Sequence, residues 1–112
     1  MDNTEVKKVK AFIIEEIIEY VPNSVIKKAI IKKTTGNISA VSCDTGEALV
    51  EKIIPFDTFI QIIDGNAEIV IDGTSNFLET GKSIIIPAHT TNSVKANERF
   101  KMISTIIKSG YE

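Results

Sequence analysis

The sequence is poor in the residues on which most protein chemistry is built. Its 112 residues include one cysteine, one histidine and no tryptophan. A lone cysteine, Cys43, excludes an internal disulfide framework, and nothing stands beside it at metal-ligand spacing. A free thiol fits a reducing compartment, so a cytoplasmic protein is expected. A lone histidine, His89, cannot furnish a facial metal site of two or three imidazoles. Charge of one sign is also lacking. Thirteen Lys and Arg face fifteen Asp and Glu, for a net charge of -2. The lysines are interspersed with acids and read as solvated strand faces, without the basic footprint that nucleic acid requires. No apolar run is long enough to span a bilayer, and the opening MDNTEVKKVK lacks a signal peptide's apolar stretch. Neither a nucleic-acid nor a membrane partner is expected.

What is present is an ordinary core. At 43% hydrophobic and 25% charged, a chain of this length forms one domain around one apolar interior. Isoleucine is the commonest residue, and its stiff branched side chain suits strands. Residues 1–10 are polar and read as a loose arm. Ile13, Ile14, Ile17, Ile18 and Val21 then fall on one face of a helical period, with Glu15, Glu16 and Glu19 opposite and Pro22 as the stop. This predicts a short amphipathic helix whose apolar face covers the sheet or a dimer partner.

Residues 25–33, VIKKAIIKK, suit a helix or a strand by spacing. Their branched side chains and the turn-forming TTGN that follows favour a strand. Residues 38–43 alternate apolar and small polar. The stretch 46–65, GEALVEKIIPFDTFIQIIDG, reads as two strands joined at Pro55-Phe56-Asp57 and closed by a turn at Asp64-Gly65. Further strands are predicted at 67–71, 76–78, 83–86, 92–95 and 99–108, with SGYE as a frayed tail. Gly46, Gly65, Gly73 and Gly81 stand where turns need positive φ. About eight to ten short strands at spacings of roughly eight to twelve residues argue for an antiparallel sandwich or barrel. The division expected is an arm and short helix over 1–24 and a barrel domain over 25–112.

The spacing resembles that of a small single-domain cupin of the conserved-barrel type. That family's first motif runs Gly, five residues, His, one residue, His, three or four residues, Glu, six residues, Gly. Gly46 and Gly65 stand at its two ends. Of the second motif, Gly81 and Pro87 match, while His89 stands at its second Gly and Ala96 at its Asn. RFKMISTIIK resembles the family's last strand, and the likeness covers about residues 25 to 108. It implies an all-β, cupin-like antiparallel jelly-roll barrel, and a homodimer, since small cupins often pair. Open sheet edges and the apolar helix give a physical reason for pairing as well. In the family three His and one Glu hold a metal. The positions that align here are Lys52, Ile54, Thr58 and Asn92. None is a usual ligand for iron, manganese, nickel or zinc. Lys52 must first lose a proton, and Ile54 has no lone pair. No metal or other cofactor is expected.

Four residues remain as candidates for a ligand site. Lys52 points into the barrel if strand alternation holds with Val50 and Ile54. There it is a cation for an anionic ligand or a nucleophilic amine, unless it snorkels to the mouth or pairs with a nearby acid. Thr58 and Asn92 line the same lumen and offer hydrogen bonds to a polar ligand, unless they satisfy one another or a trapped water. His89 is either a weak candidate for a general base or ligand contact, or an exposed loop residue in place of a turn glycine. Cys43, Phe100 and Met102 read as core, Glu51 and Asp57 as exposed. The function expected is a metal-free, small-molecule-binding cupin with an anionic or polar ligand. The alternatives are a metal-independent isomerase or lyase, and a structural dimeric barrel with a filled lumen.

Overall fold

The structure, a computed structural model, describes residues 5–109. The first part of the arm, 1–4, and the predicted frayed end, 110–112, lie outside the described residues. Eight strands follow a short N-terminal segment. They are β1 (Val25–Lys33), β2 (Gly36–Cys43), β3 (Ala48–Ile53), β4 (Thr58–Ile71), β5 (Thr74–Glu79), β6 (Ser83–Ile86), β7 (Thr91–Lys95) and β8 (Phe100–Ile107). All pairings are antiparallel.

β4 organises the whole. Its first half pairs with β6 and β8, its second half with β5 and β7. One sheet therefore runs β1-β2-β8-β4-β6 and the other β3-β7-β4-β5, and the two meet at a corner inside β4. The turn expected at Asp64-Gly65 is that corner: the chain bends there but does not reverse. A register shift between Ile62 and Asp64 marks a bulge, the usual device for moving a strand from one sheet to another. Gly65 takes φ +87°, and a Cβ added there would lie 2.1 Å from the carbonyl oxygen of Arg99. Only glycine fits this bend.

Alternation along the strands makes two apolar layers. Between the sheets lie Val41, Ile60, Ile62, Ile69, Phe100 and Met102, among others, all buried with Cys43. On the outer face of the larger sheet lies a second cluster, in which Ile18 covers Ile30, Ala40 and Ile103. β2 is thus covered on both faces. Ser42 on its outer side stays satisfied by donating to the Glu19 carbonyl at 2.8 Å.

The predicted N-terminal helix is absent. Only a single 3-10 turn forms, Ile14–Glu16, with no side-chain cap. A run of branched isoleucines without an N-cap residue is a weak helix. The sheet supplies competing partners. Lys101 Nζ donates to the Glu15 carbonyl at 2.6 Å, and Tyr20 Oη donates to Asp64 at 2.6 Å under the Arg99 guanidinium. Ile17 and Ile18 face the sheet, whereas Phe12, Ile13 and Ile14 stay exposed. Nor is all of the arm loose. Val6 N donates to the Ile30 carbonyl at 3.2 Å, and the Glu5 carboxylate accepts from the Lys32 backbone N–H. Among the described residues no helix is long and apolar enough to cross a membrane.

Candidate functional site

The interior between the sheets is not filled throughout. Towards the end formed by β1, β3 and the start of β4 lies a cavity of about 70 Å³. Its walls are aliphatic, from Leu49, Ile54, Ile60, Ile86, Val94 and Met102. Its polar lining comes from Lys52, Thr58 and Asn92, together with Lys27, Asn37, Ser39 and Ser104. No Asp, Glu, His or Cys is among the lining residues.

β3 reaches this cavity through a second irregularity. Leu49 pairs with Val94 and Lys52 with Asn92, so β3 carries one residue more than β7 between these pairs. Leu49, Lys52 and Ile54 consequently line the cavity. Val50, expected to share their face, is 80% exposed. Strand parity alone places Lys52 on the right side for the wrong reason, because a bulge resets the alternation.

Lys52 and Asn92 are directly opposed across the β3–β7 ladder, so their side chains are neighbours on one face. Asn92 is 3% exposed, and its Nδ2 is buried without a hydrogen-bond partner. A buried amide N–H left unpaired costs about 1–3 kcal/mol, which makes it a rare feature. Thr58 is equally buried, and its hydroxyl has only a long contact of 3.5 Å to the Phe56 carbonyl. Lys52 is an exposed residue whose ammonium is nevertheless partly desolvated. That burial, and then the positive charge of Lys27, holds its pKa below the usual lysine value. Among the described residues no carboxylate stands within 4.0 Å of either cavity lysine as an ion-pair partner.

His89 is not among the lining residues. It sits exposed in the turn between β6 and β7 with φ 67°, the conformation of the glycine whose place it takes, and its backbone N–H donates to the Ile54 carbonyl at 2.8 Å. The structure brings Lys52, Thr58 and Asn92 together and leaves His89 outside. Lys27, Asn37, Ser39 and Ser104 were not among the sequence candidates. Period-two alternation could have found Asn37, Ser39 and Ser104, since Asn37 and Ser39 share a face with Val41, and Ser104 with Met102.

No protein-family model and no curated protein matches the sequence. Solved structures do. A cupin-superfamily protein from Desulfitobacterium hafniense superposes with a TM-score of 0.86 at 25% identity, over 93% of this chain and 95% of that one. The chain has the cupin jelly-roll fold. A conserved barrel-domain cupin from Leptotrichia buccalis aligns with 84% of this chain at 27% identity and a TM-score of 0.82; the match spans 46% of that longer chain. A Streptococcus pyogenes protein of unknown function reaches 0.90 at 21% identity, over 96% of this chain and 94% of that one.

Within this cupin fold, the positions that align with the family's metal ligands, Lys52, Ile54, Thr58 and Asn92, do line one cavity. An ammonium, an alkyl group, a hydroxyl and a carboxamide do not make a transition-metal site. Among the described residues no three His, Cys, Asp or Glu are grouped as a metal would need. The donor set does not fit the group that the fold family implies.

Proposed function

We propose that this protein binds a small carboxylate in the cavity between its sheets, with no metal in the recognition. The observation that carries this reading is the unpaired, buried Nδ2 of Asn92 beside the partnerless ammonium of Lys52. Both are donors, and both lack the acceptor that would offset their desolvation. A carboxylate supplies two acceptor oxygens and a negative charge, and its alkyl part suits the aliphatic walls. The cavity volume admits a ligand of a few heavy atoms. In this reading Lys52, Asn92 and Thr58 bind the ligand.

The test is thermal denaturation with a panel of small carboxylates and phosphate. The anions are expected to raise the melting temperature of the wild type more than that of Lys52→Met, which keeps side-chain length and removes charge. Equal shifts in both proteins would show that Lys52 does not read the ligand.

A further inference from the structure

A groove of about 280 Å³ lies beside the cavity, and the two share Lys27, Asn37, Ser39 and Ile106 among their lining residues. The groove adds Lys28 and Lys32, and again no acid lines it. The Glu5 carboxylate accepts from the Lys32 backbone N–H. The chain as a whole is acidic, at -2, so this local excess of cations runs against its overall charge. Lys27 on β1 and Lys52 on β3 come from opposite sheets and face one space. Their mutual repulsion destabilises the fold, and no described acid within ion-pair distance offsets it.

Resting on the carboxylate-binding reading, we infer that the ligand is a short aliphatic dicarboxylate spanning cavity and groove. One carboxylate sits in the cavity at Lys52 and Asn92. The other lies at Lys27, which lines both spaces, with Asn37 and Ser39 as neutral hydrogen-bonding partners. The methylenes between them lie against Ile106. Phosphate is a poorer match, because no helix N-terminus lines the cavity or the groove to cradle it. A dianion neutralises both ammonium groups at once, which a monocarboxylate cannot do.

The experiment is titration calorimetry at low ionic strength in a cationic buffer, with propionate, succinate, glutarate and glycerol phosphate as probes. The wild type is expected to bind succinate or glutarate at least about tenfold more tightly than propionate, the size of one added, partly solvated charge pair. In Lys27→Met that advantage should vanish, with succinate and glutarate binding within about twofold of propionate. Lys95→Met, a lysine outside both spaces, should leave every affinity unchanged. Melting curves of each variant show that it is folded. Equal binding of propionate and succinate by the wild type overturns the dicarboxylate, and so does an advantage that survives in Lys27→Met or a preference for glycerol phosphate. In those cases propionate binding that depends on Lys52 leaves the single-carboxylate reading standing. Binding of no probe at all removes both.

Discussion

At the scale of single residues, Asn92 is the most informative side chain. A buried donor without a partner destabilises the empty protein. Asn92→Leu, close in shape and without polar atoms, should therefore leave stability unchanged or raise it by up to about 2 kcal/mol, while abolishing the response to carboxylates. Urea denaturation and the anion panel read the two effects separately. A variant that is strongly destabilised would show that the amide serves the fold. Cys43 gives a different residue-scale prediction. Burial, and then the charges of Glu47 and Asp44, pushes its thiol from 9.0 up to about 11. The folded protein therefore holds this proton to higher pH than the unfolded chain. The stability it contributes is full below pH 9 and is lost as pH rises towards 11. Cys43→Ala should narrow its stability gap to the wild type across that window, measured as urea midpoints at pH 8, 9.5 and 10.5. A constant gap would show that the thiol does not titrate there.

At the scale of elements, the prediction concerns the corner in β4. Gly65→Ala must move the Arg99 carbonyl as well as hold a left-handed backbone, and should cost at least about 3 kcal/mol. Gly46 has nearly the same φ, +88°, but open space around it, so Gly46→Ala should cost only about 1–2 kcal/mol. Similar losses at both sites would mean that the corner tolerates a Cβ. Element boundaries show what the sequence could and could not disclose. Residues 25–33 and 83–86 are strands as read, because branched side chains and flanking turn residues agree there. At Asp64-Gly65 the local chemistry was legible, since positive φ was expected and is found, but a bend and a reversal share that chemistry. Tertiary pairing decides between them. The helix expected from the spacing does not form: of its apolar face, Ile17 and Ile18 meet the sheet, while Ile13, Ile14 and Val21 stay exposed. Lys52, Thr58 and Asn92 were readable through motif spacing. Lys27 was not, because β1 carries no motif and its contribution depends on how far one sheet extends past the other.

At the scale of the whole molecule, apolar surface is left over. Phe59 and Ile85 are paired across the ladder at the β6 edge, and both are exposed, as are Phe12 and Ile13 of the N-terminal segment. The homodimer is a proposal that this surface supports. Light scattering at micromolar concentration should give twice the chain mass, and Ile85→Lys should lower it towards the monomer. A monomer mass for the wild type would remove the proposal.

β4 runs through both sheets, and side chains of both share one buried cluster, so melting of one sheet uncovers the inner face of the other. Ile60 lies in the half of β4 paired with β6 and β8, and Ile69 in the half paired with β5 and β7. Under native conditions their amides should exchange with solvent deuterium through the same global opening, with equal protection and equal sensitivity to urea. Two separate exchange free energies would mean that the corner at Gly65 divides the molecule into independently unfolding halves.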